Sequence, residues 1–192
     1  MILELGMLSD DNIRQVLATP LLIWRVVAPE DPDILKNVMS LSREGWSRER
    51  EAKLPPLPLS AIEKARCDLD KAWHGLHYLL TKSEDEGDPP LNFLVAGGTL
   101  VGEIDVGYGP ARVLTSSEVA ELNAALNLTT REYLASRFDP EDMMERDIYP
   151  SIWDSDTAED DALEYCLENF DGLKKFVADA AAHRLGLVIW ID

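Results

Sequence analysis

Leu187–Ile191 reads LVIWI, a short apolar run with the length and character of a buried strand. Gly186 stands just before it and terminates the helical pattern that precedes it. A lone strand is not stable in water and needs neighbours. The segments able to supply them are Met1–Leu8, Asn92–Ala96 and Ala111–Leu114, so the N-terminal, central and C-terminal strands are expected to share one sheet. Most of the intervening chain carries helical signals. The expected fold is therefore α+β, a multi-helix single domain packed on a small mixed β-sheet that includes the C-terminal strand.

Working back from the C-terminal run, Thr157–Phe170 and Gly172–Arg184 read as two helices or one kinked helix. Asp139 with Pro140 starts a short helical turn, since Asp suits the N-cap and Pro the first helical position. Thr129 with Glu132 caps a helix reaching about Arg137, and Thr115 with Glu118 caps Ser116–Leu126. Ser60 with Glu63 repeats that signature before Ala61–Lys82, where Ile62, Ala65, Leu69, Trp73, Leu76 and Leu80 recur at three- and four-residue intervals and predict one long helix. Ser83–Pro90 (SEDEGDPP) is a charged turn-rich loop, and Gly97–Gly109 a glycine-rich stretch. Towards the N-terminus, Ser9 opens a helix that runs to Pro20, and Ile34–Leu41 suggests another. Arg43–Lys53 is polar and locally basic around Trp46, and Lys53–Ser60 (KLPPLPLS) reads as an extended connector. Residues 43–60 are thus a surface excursion and proline-rich connector within a domain spanning 1–192.

The 192 residues allow one substantial core. The charge decides more: 18 Lys and Arg against 36 Asp and Glu leave a formal net charge of -18. Phosphate backbones and anionic lipid surfaces are docked through Lys and Arg, so neither nucleic acid nor membrane is an expected partner. No targeting segment is evident near the N-terminus, and the most apolar run, Leu21–Ala28, is far shorter than the ~20 residues of a membrane span. The expected location is cytoplasmic. Cys67 and Cys166, each in a segment that reads as helix, suit reduced thiols better than a disulfide framework.

Several motifs in order carry a family likeness. DLDKAWHGLHYLL (Asp68–Leu80), Gly97–Gly98, VGYGPARVLT (Val106–Thr115), RFDPEDMM (Arg137–Met144), DIYPSIW (Asp147–Trp153) and LEYCLENFDGLKKFV (Leu163–Val177) resemble the YfbM-like family of bacterial proteins. The likeness covers most of the chain after residue 60 and is least clear over Arg25–Ser60. It implies a compact α+β domain and supplies no reaction.

Three constellations can carry chemistry. On the expected long helix Asp70, His74 and His77 stand four and three residues apart, so a carboxylate can orient an imidazole as general base; the competing reading is a pair of histidines at the edge of the core hydrogen-bonded to neighbours. Tyr108 and Arg112 of GYGPAR can clamp a carboxylate or phosphate, or simply form a tight turn. Between Asp139 and Asp161 carboxylates greatly outnumber the single Arg146, with Tyr149 and Trp153 among them. This segment suits docking of a basic protein, or a loop pinned to the core by its aromatics. No P-loop, dinucleotide fingerprint, GxSxG, HExxH or calcium-loop spacing occurs, so no cofactor or metal is expected. Two functions follow. The first is a non-catalytic acidic binding or regulatory protein engaging a basic protein partner, in the manner of an immunity or inhibitor protein. The alternative is a small-molecule enzyme or ligand binder in which Asp70, His74, His77, Tyr108 and Arg112 line one cleft, with His77 as base, Asp70 orienting it and Tyr108 with Arg112 as anion clamp.

Overall fold

The C-terminal strand lies at the centre of the sheet. The structure is a computed structural model that describes residues 1–41, 45–154 and 161–192. In it β5 (Gly186–Ile191) pairs with β1 (Leu3–Leu8) on one side and with β4 (Pro110–Leu114) on the other. Beyond these lie β2 (Arg66–Asp68) and β3 (Thr99–Asp105), giving the order β2-β1-β5-β4-β3. All four ladders are antiparallel, so the sheet expected to be mixed is antiparallel throughout its described strands. Both faces are covered, which is why β5 is apolar without alternation: Leu187 and Ile189 enter one core, Val188 and Trp190 the other.

The larger core lies under α5 (Trp73–Thr81), α6 (Ser116–Leu128), α7 (Arg131–Ala135), α8 (Pro140–Glu145) and α9 (Ala162–Ala182). The two helices expected at the end of the chain are one: α9 runs unbroken past Gly172 and buries Cys166, Phe170, Leu173, Val177 and Ala180 along one stripe. Its expected start at Thr157 lies outside the described residues. Burial of a side chain the size of Phe170 contributes about 2–3 kcal/mol. The smaller core is closed by α1 (Asp10–Ala18), a 3-10 turn at Pro20–Ile23, α2 (Trp24–Val27) and Leu57 of the proline-rich connector. Further out, α3 (Ile34–Leu41) packs on α2, and the single-turn α4 (Arg48–Glu51) buries none of its residues.

The helix caps follow the local sequence signals. Ser9, Thr115 and Asp139 each accept the expected backbone N–H, and Thr115 with Glu118 forms the full capping box. For α7 the cap is Thr130, one residue beyond the one expected.

The long helix at Ala61–Lys82 is not formed. Ser60 does bond Glu63, through its N–H and its hydroxyl (2.9 and 2.6 Å), but this starts only a 3-10 turn at Ile62–Lys64. Arg66–Asp68 then add to the open edge of β1 as β2, and Asp70 (φ 44°) adopts the left-handed conformation, so helix resumes only at Trp73. Cys67 consequently sits on a strand, and Cys166 on α9 as expected. Both thiols are free and buried; burial pushes Cys166 up to about 12, and burial with Asp68 pushes Cys67 up to about 11. The strand expected at Asn92–Ala96 is a series of turns, and the glycine-rich stretch after it contains β3 instead. Among the described residues no helix is long and apolar enough to cross a membrane.

Candidate functional site

On α5 the two histidines diverge in role. His74 is half-buried and fixed at both nitrogens: Nδ1 accepts from the backbone N–H of Tyr149 (3.0 Å), which leaves the proton on Nε2, donated to the carbonyl of Glu84 (2.9 Å). Burial lowers its pKa against the opposing pull of Glu84 and Asp85. The ring stacks on Trp73, with centroids 4.8 Å apart. His77, one turn on, is 0% exposed and neither nitrogen makes a hydrogen bond. Burial holds its pKa down to about 4, helped by His74 and Arg112 and opposed by the Glu86 backbone and Asp85, which lie close without completing a bond. The imidazole is thus enclosed in the core and held neutral there.

Asp70 is not its orienting partner. Because the chain is a strand and loop here, the Asp70 carboxylate turns to α9 and accepts from the Tyr165 hydroxyl (2.8 Å), and that hydroxyl accepts from Lys71 N–H (3.0 Å). Tyr108 and Arg112 also separate. Tyr108 is 64% exposed in the turn between β3 and β4. The Arg112 guanidinium is directed into the Phe93–Gly97 turns, donating to the carbonyls of Phe93 (2.8 Å), Leu94 (2.7 Å) and Gly97 (2.6 Å). Burial brings its pKa down to about 10. Arg112 thus satisfies the turn that replaces the expected strand, and nothing short of the fold could have announced it.

The aromatics of the acidic segment pin a loop. Trp153 is 2% exposed and donates from Nε1 to Ile148 O (2.6 Å). Its ring occupies the place of a side chain at Gly75, where a Cβ would come within 2.3 Å of the indole. Tyr149 is half-buried, near-stacked on Trp73, with its hydroxyl taking a hydrogen bond from the amino group of Met1. Below it, Tyr78 donates to Asp142, which also accepts from Arg146 (2.8 Å), while Lys82 lies over the Tyr78 ring.

The consequence is a junction the sequence did not reveal. The His74 ring bridges Glu84 of the charged loop and Tyr149 of the segment that follows α8, fastening two acidic stretches side by side. Glu84, Asp85, Glu86 and Asp88 on one and Glu141, Glu145 and Asp147 on the other are all exposed, and Ile152, further along the second stretch, is 44% exposed. The part of the acidic segment between Asp154 and Asp161 lies outside the described residues. Among the described residues no group of His, Cys, Asp and Glu is arranged to hold a metal ion.

The sequence model of a family described as a domain of unknown function, DUF1877, matches residues 1–190. No curated protein matches the chain. Among solved structures, a protein of unknown function, YfbM from Escherichia coli, superposes with a TM-score of 0.64 at 19% sequence identity, covering 98% of this chain and 98% of that one. At that identity the likeness concerns the fold.

Proposed function

Since this chain belongs to the DUF1877 family, whose description carries no activity, we propose from its own surface that it is a non-catalytic binding protein whose acidic face docks a basic protein partner. The observation that carries this is the His74 clip, which holds the Glu84–Asp88 loop beside the α8 segment. Two runs of like charge would otherwise separate by repulsion. Held together, they form one negative surface on which the cations are already engaged, Arg146 by Asp142 and Lys82 against Tyr78. Ile152, exposed five residues beyond Asp147, offers an apolar contact next to these carboxylates, of the kind a protein interface uses. Long-range attraction would speed encounter with a basic surface and weaken as salt rises.

The test compares the wild type with Glu84→Lys/Asp85→Lys/Glu86→Lys and with a charge-matched control, Glu103→Lys/Glu121→Lys/Glu168→Lys, in pull-downs at low and physiological salt. The expected result is a basic protein retained by the wild type and the control and lost from the loop variant. Equal retention by all three proteins, or retention of no basic protein, overturns the proposal.

A further inference from the structure

The net charge is unevenly distributed. Residues 25–64 hold seven Lys and Arg against seven Asp and Glu, so the whole of the -18 resides in the rest of the chain. Within this neutral region α2, α3, α4 and the start of the proline-rich connector enclose an open cleft of about 770 Å³, lined by Arg25, Asp33, Lys36, Trp46, Arg48 and Glu51. A second cavity of about 330 Å³ shares Arg25 and Glu51 with it. The floor is fixed, because Leu57 is buried in the smaller core and anchors the connector that brings Leu54 and Pro56 to the wall.

The acids and bases of this cleft are unequally satisfied. Glu51 accepts from the Trp46 indole N–H (2.7 Å), and Asp33 lies 3.9 Å from Lys36. The guanidinium groups of Arg25 and Arg48 have no hydrogen-bond or ion-pair partner among the described residues, and Arg25 is half-buried. A planar guanidinium suits a phosphate or carboxylate, to which it donates two parallel hydrogen bonds. Trp46 is 38% exposed, its ring beside the Lys36 ammonium (5.6 Å), and its nitrogen is already spent, so what it offers is the flat face. The cleft volume lies in the range of small-molecule sites.

We propose that this cleft binds a small phosphate monoester carrying a planar ring, of the size and chemistry of a nucleoside monophosphate, with Arg25 and Arg48 on the phosphate and Trp46 against the ring. A compact dianion meets the balanced charges of this region alone, with two unpartnered guanidinium groups among them, whereas a polyanion such as RNA would also span the acidic remainder of the surface. This site is independent of the acidic face.

The experiment is calorimetric titration of the intact protein with AMP, adenosine and inorganic phosphate as probes. AMP is expected to bind saturably and at least ~10-fold more tightly than either fragment, and Arg48→Gln, at an exposed and unpartnered side chain, to weaken it ~10-fold with no change in Tm. Arg25→Gln/Arg48→Gln is expected to abolish binding, and Trp46→Leu to reduce AMP to the affinity of phosphate. Absence of saturable AMP binding, unchanged affinity in Arg48→Gln, or binding of an acidic peptide in place of AMP overturns the proposal.

Discussion

Replacement of His77 by leucine tests the reading of the α5 core most directly. In the folded protein this imidazole is fully enclosed and its pKa is held near 4, against 6.5 for the free group. As pH falls through 6.5 the unfolded chain takes up a proton here that the folded chain refuses, so stability declines until the pH reaches about 4 and then levels. At about 1.4 kcal/mol per pH unit, that interval amounts to about 3 kcal/mol, of which about 2 kcal/mol falls between pH 7 and pH 5. His74, Asp85 and Arg112, the charged and titratable groups acting on the ring, remain in the variant, so the difference between the two proteins isolates His77. Leucine also removes two buried nitrogens that have no partners, and the variant is expected to be as stable as the wild type at pH 7 or more so. Urea unfolding followed by tryptophan fluorescence at half-unit steps from pH 7.5 to 4.5 gives the comparison: the wild-type curve should fall about 2 kcal/mol further than that of His77→Leu. Parallel curves would refute the assignment of a buried neutral imidazole.

Glu63 supplies the complementary acid limb. Burial pushes its carboxyl up, but the donors from Ser60, Ser9 and Asn12 outweigh this and hold it at about 2; its folded pKa is below the unfolded one, so its contribution is present above pH 4.5 and lost as pH falls towards 2. Glu63→Gln should therefore flatten the stability profile below pH 4.5 by about 3 kcal/mol, read from acid titration of the circular dichroism signal. Arg112→Met leaves three carbonyls of the Phe93–Gly97 turns without their donor and should cost about 3 kcal/mol in urea unfolding, with Arg112→Lys recovering only part; a loss under about 0.5 kcal/mol would show that the guanidinium does not hold the turn. Gly75→Ala drives a methyl into the Trp153 indole and should destabilise by about 1–3 kcal/mol. A Trp153→Leu change in that background should return part of the loss, and strict additivity of the two changes would count against the contact.

Where the sequence could be read, the determinants were local. Ser9, Thr115 and Asp139 cap helices with hydrogen bonds that span three residues, and the apolar run at Leu187–Ile191 has one plausible fate. Where reading failed, a distant partner decided. Glu63 looks like half of a capping box, yet it also receives Ser9 and Asn12, 54 and 51 residues earlier in the chain, and the open edge of β1 draws Arg66–Asp68 out of the helical pattern. The apolar residues at 92–96 imitate a strand but are turned by Arg112. The true strand, β3, hides because it is an outer strand with one fully buried apolar residue, Val101, among its exposed and part-exposed neighbours. The candidate site fared similarly. His74 and His77 do share one helix, but the Asp70 expected to orient His77 depends on a helix that is not there, and the partners of His74 lie at Glu84 and Tyr149.

The ladder between β1 and β5 has a bearing on how the molecule is made. Residues 3–8 find their central neighbour only at residues 186–191, so during synthesis the first strand must wait, solvated or provisionally covered, until nearly all of the sequence between has been translated. Helices such as α1 and α6 can form as they emerge, but the middle of the sheet cannot close until its last-made strand arrives. Contacts of such long sequence separation slow the final step and lengthen the time for which apolar strand edges stand open. Chaperone binding should therefore be concentrated before β5 emerges, while β1 and β4 lack the strand between them.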